Sequence, residues 1–137
     1  MAIDFYYSEN QTVLNAAFCD QVGYSDIAKY WQKAMVKKHT RDGFVEFIDA
    51  SRLVDLTAST FEIHKLVDEM MQLYQCGYIG SVIFAEKRSI RNVFHQMIEN
   101  QGMRYKQFGS YMFICATRED FALYCDDLSL FIDTLPT

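Results

Sequence analysis

The sequence contains little proline and glycine, few cysteines and no long apolar run. One proline and six glycines occur among 137 residues, so the ends of helices and strands have to be identified from hydrophobic periodicity. No window reaches the ~18 uninterrupted apolar residues of a membrane span. The N-terminus, Met1-Ala2-Ile3-Asp4, has neither a basic segment nor an apolar one. We therefore expect no targeting leader and no stable membrane insertion.

The four cysteines do not form the C-x-x-C pairs that bind zinc or carry redox chemistry. Cys19, Cys76, Cys115 and Cys125 are interpreted as small, buried apolar side chains instead. Free thiols together with the absence of a leader predict a reducing, cytoplasmic location.

The composition is that of a folded chain. Half of the residues are apolar and 15% are aromatic, which excludes the disordered classes. A chain of 137 residues can bury a core without metals or disulfides, so we expect a single domain over residues 1–137. Lysine and arginine number 13 against 18 aspartates and glutamates, giving a formal charge of −5. This charge argues against nucleic acid as a partner.

The first half of the sequence predicts a hairpin, a helix and a central strand. Ile3–Ser8 and Thr12–Cys19 are two short runs of strand formers separated by three polar residues, the pattern of an antiparallel hairpin. Ser25 is expected to cap the helix that follows. Phe44–Asp49 is an apolar run suited to a central strand, and Ala50–Leu56 is expected to be a loop.

The second half alternates helices and strands. Tyr78–Phe84 and Tyr111–Cys115 are the apolar runs that predict strands. Polar residues at three positions are expected to cap helices: Thr57 or Ser59, Ser89 and Thr117. The order of elements predicts a layered α/β domain, with an N-terminal β-hairpin followed by βαβαβα units. Its sheet is expected to be mostly parallel, with the last three strands parallel to one another.

This order of elements resembles the STAS-like fold, named for sulfate transporters and anti-sigma-factor antagonists. The resemblance covers roughly residues 3 to 127 and is carried by six short segments: Phe44–Asp49, Asp55–Thr57, Val82–Ala85, Arg91–Phe94, Phe113–Thr117 and Phe121–Tyr124. It implies a non-catalytic regulatory or signalling module that binds a protein partner. Relatives of the CRAL-TRIO type are lipid carriers, so the resemblance also implies an alternative, a carrier or sensor of a small apolar or anionic ligand.

Signalling members of this family carry a phosphorylatable Ser or Thr in an Asp-Ser-Ser-Gly-like turn at the start of the helix after the third strand. The corresponding turn is Asp55-Leu56-Thr57-Ala58-Ser59-Thr60, in which the hydroxyls are present and the Asp and Gly are displaced or missing. Thr57 and Ser59 are candidate site residues on this basis. Plain helix capping by Thr57, Ser59 or Thr60 is the alternative interpretation.

A second candidate site is the cationic segment Glu86-Lys87-Arg88-Ser89-Ile90-Arg91. It gathers three cations at a predicted helix N-terminus, where the helix dipole disfavours positive charge but exposed N–H groups favour an anion. Arg52 and Arg118 are expected on loops at the same edge of the sheet. We hypothesise a rim that binds a phosphate, a lipid headgroup or an acidic protein face. The alternative is that Glu86 and solvent simply screen these cations.

No motif predicts an enzyme. The sequence has no G-x-S-x-G elbow, Walker loop or G-x-G-x-x-G. His64 and Asp68 lie one helical turn apart, as do His95 and Glu99, but no H-E-x-x-H motif is present, so we expect no metal and no cofactor. A minor hydrolase that uses Cys115 and a histidine is a third alternative. The many aromatic residues also allow a homodimer face.

Overall fold

The computed structural model describes residues 2–9, 12–36, 43–70, 77–96, 99 and 111–126. Five strands form one sheet in the order β1-β2-β3-β4-β5. The strands are β1 (Ile3–Tyr7), β2 (Val13–Gly23), β3 (Phe44–Thr57), β4 (Tyr78–Phe84) and β5 (Tyr111–Cys115). The β1–β2 pair is antiparallel, and β2 to β5 are parallel to their neighbours. The predicted hairpin, the mostly parallel sheet and the α/β class are therefore confirmed.

Helices cover both faces of the sheet. They are α1 (Tyr24–Trp31), α2 (Thr60–Met70), α3 (88–96) and α4 (Arg118–Asp126), and a π-helical turn over Gln32–Val36 follows α1. Side chains alternate between the two faces of a strand. Phe44 and Ile48 accordingly belong to the core beneath α1, α2 and α3. Val45 and Phe47 point the other way and pack with Phe121 of α4.

The loop predicted over Ala50–Leu56 is wrong, because β3 continues to Thr57 alongside β2. The pairing jumps from Ala17↔Asp49 to Cys19↔Arg52 and shifts again after Asp20, so β3 carries extra, bulged residues. Buried positions on this stretch then recur every third residue, at Ala50, Leu53 and Leu56. A spacing of three matches neither the strand period nor the helix period, which is why periodicity predicted a loop.

Two of the predicted helix caps are wrong. Strand β2 runs directly into α1, so Gly23 is the N-cap and Ser25 lies in the first turn. The Gly23 N–H donates to Asp26 Oδ2 at 2.9 Å. Helix α3 begins at residue 88, which likewise places Ser89 inside the first turn.

Two other caps agree with the sequence. Glu62 N–H donates to Ser59 Oγ at 3.1 Å, and Ser59 N–H donates to Glu62 Oε1 at 3.0 Å, which completes a capping box. Thr117 Oγ1 accepts a bond from Asp120 N–H at 3.3 Å at the start of α4.

Candidate functional site

The strands of the sheet do not all end at the same height along its carboxyl edge: β4 ends first, whereas β2 and β3 continue further. Strand β4 ends at Phe84, which pairs with Asp49 of β3, and Ala85 N–H donates to Cys115 O at 3.1 Å. Beyond this level β2 and β3 continue as a pair, the β2–β3 extension (residues 19–23 and 52–57). Counted along β2 at about 3.3 Å per residue, the Gly23–Thr57 pair lies roughly 20 Å beyond the Ala17–Asp49 pair, and the Cys19–Arg52 pair roughly 7 Å beyond it. Thr57 is therefore separated from the candidate residues at the lower level, whereas Arg52 lies close to that level.

The lower level carries the β4–β5 rim, which we define as Lys87, Arg88, Ser89, Arg91 and Arg118. Lys87, Arg88 and Ser89 are exposed around the first turn of α3. The Lys87 carbonyl accepts the N–H groups of Ile90 and Arg91, both at 3.1 Å, so the turn is closed by backbone bonds. Within the described residues no ion pair involves Lys87 or Arg88. Their charges thus face solvent.

Arg91 has a different environment from the other rim cations. Its Nη1 donates to Ala85 O at 2.9 Å and to Glu86 O at 2.5 Å. A guanidinium bonded to two carbonyls ties the β4–α3 connection to the helix that follows it. Arg91 therefore stabilises the conformation of the β4–α3 connection within the rim.

Arg118, the first residue of α4, lies against the ends of β3 and β4. Its guanidinium carbon is 4.9 Å from the centre of the Phe84 ring, and Nη1 is 4.0 Å from Asp49 Oδ2. Asp49 also accepts a bond from Ser51 N–H through Oδ1 at 2.9 Å. An exposed pair at this distance contributes about 0–1 kcal/mol, so Arg118 is positioned mainly by stacking on Phe84.

The other candidate residues belong to the β2–β3 extension and its far end. Arg52 is exposed on β3, where it pairs with Cys19, and does not lie on the loop that the sequence predicted. Thr57 ends β3 opposite Gly23. The Ser59 hydroxyl oxygen accepts a bond from the Glu62 N–H. Thr57 and Ser59 are therefore not gathered with the β4–β5 rim, whereas Arg52 lies on β3 just past the level of Asp49.

A buried polar cluster, which sequence reasoning missed, lies between α1 and the sheet. This Glu46 cluster consists of Glu46, Tyr30, Ser81 and Tyr78. The Glu46 side chain is 3% exposed; Tyr30 O–H donates to its Oε2 at 2.7 Å, and Ser81 O–H donates to its Oε1. The hydroxyls of Ser81 and Tyr78 are hydrogen-bonded to each other. The signal in the sequence is one glutamate within the apolar run Phe44–Asp49.

Burial raises the pKa values of Glu46 and Tyr30 in this cluster. Loss of water raises the pKa of Glu46, and the bonds from Ser81 and Tyr30 oppose that rise only in part. Burial, with the nearby Glu46 charge, raises the pKa of Tyr30 well above its usual range. Both groups are enclosed in the core, so the cluster orients α1 against the sheet and presents no reactive atom to solvent.

The environments of Cys115 and Cys125 disfavour a role as catalytic nucleophiles. Burial first, and the charges of Asp120 and Cys125 second, raise the pKa of Cys115 to about 11. The interpretation of the cysteines as buried side chains holds for Cys115 and is wrong for Cys125, which is exposed, while Cys19 is partly buried and Cys76 lies outside the described residues. Partial desolvation first, then Asp126 and Asp49, raises the pKa of Cys125 to about 11. At neutral pH both remain thiols, whereas catalysis requires the thiolate. In the described part of the chain, no three His, Cys, Asp or Glu side chains come together as metal ligands.

Two open clefts border strand β1. The α1 cleft, of about 260 Å³, lies between β1 and α1 and includes Ile3, Phe5 and Tyr30 in its wall. The α4 cleft, of about 310 Å³, lies on the opposite face and includes Phe47 and Phe121. A further open cleft of about 560 Å³ borders the β2–β3 extension. None of the helices among the described residues has the length and apolarity needed to cross a membrane.

Comparison with known proteins identifies the fold. No protein family model matches the sequence, and no curated protein matches it significantly. The crystal structure of an uncharacterised DUF3478-family protein from Shewanella loihica PV-4, described as having a SpoIIAA-like fold, is similar to this chain. The TM-score is 0.52 at 12% identity, over 90% of this chain and 91% of that one. The protein therefore has a SpoIIAA-like fold, and the predicted STAS-like architecture is confirmed.

Proposed function

We propose that the protein is a cytoplasmic, non-catalytic binding module that recognises an acidic face of a partner protein through the β4–β5 rim. The observation that carries the proposal is the exposure of Lys87 and Arg88 at the N-terminus of α3 without an ion pair among the described residues. The helix dipole disfavours cations at this position. Carboxylates of a partner would offset that electrostatic cost, because no carboxylate of the described residues forms an ion pair with Lys87 or Arg88.

The rest of the rim supports protein binding because it is preformed. Arg91 is bonded to two carbonyls of the β4–α3 connection, and Arg118 is stacked on Phe84. A surface that is ordered before binding loses less conformational entropy when a partner docks. Thr57 and Ser59 lie toward the far end of the β2–β3 extension, so the proposed interface does not include them.

The fold and the thiols are consistent with binding and disfavour catalysis. A SpoIIAA-like fold favours a regulatory or binding role. The raised pKa values of Cys115 and Cys125 weaken the hydrolase alternative. The three clefts, of about 260, 310 and 560 Å³, are all open to solvent, whereas a ligand pocket usually buries most of the surface of its ligand. These observations favour a protein partner over the carrier alternative.

The proposal is tested by affinity capture from extracts of the source cell, quantified by mass spectrometry. The variant Lys87→Glu with Arg88→Glu reverses two charges on the rim. Lys29→Glu with Lys33→Glu reverses two exposed charges beside the α1 cleft and serves as the matched control. We expect at least one protein to be enriched about tenfold less by the rim variant and equally by the control, because like charges at an interface are strongly unfavourable.

Two further measurements separate the alternatives. Native mass spectrometry of the purified protein that reveals a bound lipid would favour the carrier. Titration with inorganic phosphate that shifts only the amides of α3 would favour a small anion over a protein face. The proposal fails if every captured protein binds the rim variant as well as it binds the wild type.

A further inference from the structure

Strand β1 is an outer strand of the sheet, and its open side carries backbone hydrogen-bonding groups. Cys19 N–H donates to Ala2 O at 2.8 Å, and Ser8 N–H donates to Val13 O at 2.9 Å. In an antiparallel pair, bonded and non-bonded positions alternate, so the even-numbered residues of β1 bond to β2. Ile3 and Phe5, at the alternate positions, direct their N–H and C=O groups away from β2.

This edge has little of the usual protection against strand addition. Natural edge strands are blunted by short length, by charged side chains (lysine above all), by proline or by a bulge. Strand β1 is five residues long and carries one charged side chain, Asp4, but no lysine or proline. The sequence of β1 is Ile-Asp-Phe-Tyr-Tyr, and its pairing with β2 is regular. No described residue forms a strand on its outer side. The edge is therefore chemically competent to pair with an added strand.

The clefts on either side of this edge match the alternation of an added strand. Phe5 borders both the α1 cleft and the α4 cleft, which lie on opposite faces of the sheet. Successive side chains of a strand that pairs with β1 would point into one cleft and then the other. Volumes of about 260 and 310 Å³ suit individual side chains. Backbone pairing with pockets for alternate side chains is the pattern of peptide recognition by strand addition.

The charged side chains around the α1 cleft indicate what kind of segment would pair with β1. Lys29 and Lys33 border the α1 cleft and are exposed. Asp26, the only carboxylate among the described residues that line this cleft, accepts the Gly23 N–H. An antiparallel pair of β1 strands from two copies would bring the Lys29 and Lys33 side chains of both copies to one side of the joined sheet, where like charges repel. Acidic side chains of a different protein are complementary to this side.

We infer that β1 is a strand-addition site for an extended segment of a partner protein whose side chains facing α1 are acidic. The backbone of Ile3 and Phe5 supplies the pairing, and Lys29 and Lys33 supply the charge selectivity. This surface lies on the side of the sheet that begins with β1, whereas the β4–β5 rim lies at the carboxyl ends of β4 and β5. An experiment can therefore disprove one of the two proposed binding sites without disproving the other.

The test uses the full chain and two capped seven-residue peptides in which valine alternates with glutamate or with lysine. Amide spectra are recorded during titration. We expect saturable binding of the glutamate peptide, with slowed hydrogen exchange at the Ile3 and Phe5 amides, and about tenfold weaker binding of the lysine peptide. The variant Lys29→Glu with Lys33→Glu should reverse this preference. The rim variant Lys87→Glu with Arg88→Glu should change either affinity less than twofold, although it carries the same change in net charge.

Three results would overturn the inference. The first is no saturable binding of the glutamate peptide at millimolar concentration. The second is binding that leaves the Ile3 and Phe5 amides unchanged or that survives the Lys29 and Lys33 reversals. The third is a dimer in sedimentation velocity whose Ile3 and Phe5 amides are already protected without peptide, since a second copy would then occupy the edge.

Discussion

The Glu46 cluster and the β4–β5 rim both place charge where elementary physics disfavours it, but only the cluster satisfies that charge within the chain. Glu46 is enclosed in the core and accepts hydrogen bonds from Tyr30 and Ser81. Lys87 and Arg88 lie at a helix N-terminus and have no ion pair among the described residues. A buried charge must be satisfied by the fold, whereas an exposed one is screened by water and stays available to a partner. We therefore assign a structural role to the first region and propose a binding role for the second.

Removal of the buried Glu46 carboxylate is expected to have the largest effect on stability. Glu46→Ala leaves the hydroxyls of Tyr30 and Ser81 without their acceptor and opens a cavity beside them. We expect the free energy of unfolding to fall by about 3 kcal/mol, the sum of a cavity and unsatisfied buried hydroxyls. Urea denaturation followed by circular dichroism measures it. Glu9→Ala, at an exposed position in the β1–β2 turn, is the control and should change stability by less than about 0.5 kcal/mol.

The pH dependence of stability tests the state of the same carboxyl group. Because burial raises the pKa of Glu46 above its usual 4.5, the folded protein holds this proton more tightly than the unfolded chain does. The resulting stabilisation is complete below the unfolded pKa and is lost as the pH rises through the folded pKa. Relative to Glu46→Gln, the wild type should therefore become progressively less stable between acidic and neutral pH. A difference between the two proteins that does not vary with pH would mean that the pKa of Glu46 is the same in the folded and the unfolded protein.

The variant Arg91→Ala tests whether the β4–β5 rim is ordered before a partner binds. Arg91→Ala removes the bonds from Nη1 to the carbonyls of Ala85 and Glu86. We expect a loss of about 1–2 kcal/mol in stability and faster amide exchange in the β4–α3 connection. Arg52→Ala, which removes an exposed cation from β3, should leave both quantities nearly unchanged. Equal exchange rates in the two variants would mean that Arg91 does not hold the connection.

The smallest expected effect on stability is at the exposed cations. Lys87→Glu with Arg88→Glu replaces cations by anions at the N-terminus of α3, where the dipole favours negative charge. We expect the free energy of unfolding to stay the same or to rise by up to about 1 kcal/mol. Thermal unfolding at low salt measures the change. A clear loss of stability would show that these cations serve the fold, and the contrast with the Glu46 cluster would disappear.

Much of the fold follows from the sequence because periodicity records burial directly. The apolar runs Phe44–Asp49 and Tyr78–Phe84 predicted central strands, and both are largely buried between helices. The β2–β3 extension escaped prediction because its bulges set the buried residues Leu53 and Leu56 three positions apart. Register shifts depend on pairing between distant segments, which a single sequence does not display.

The sites were predicted less completely than the fold. The composition of the segment around Lys87 and Arg88 was visible in the sequence, but the bonding of Arg91 to its own connection required coordinates. Glu46 stood in an apolar run, yet its partners Tyr30 and Ser81 lie 16 and 35 residues away in sequence. Such a cluster is defined by tertiary contacts, so local patterns indicate at most that one polar residue is out of place.

The most direct test of the account is a binding titration with a protein partner captured by the wild type. The dissociation constants of the wild type and of Lys87→Glu with Arg88→Glu are compared at low and at physiological salt. At low salt we expect the variant to bind the partner at least about tenfold more weakly than the wild type does. The ratio of the two dissociation constants should fall at physiological salt, because salt screens the exposed charges. Equal dissociation constants for the two proteins would contradict a binding role for the β4–β5 rim.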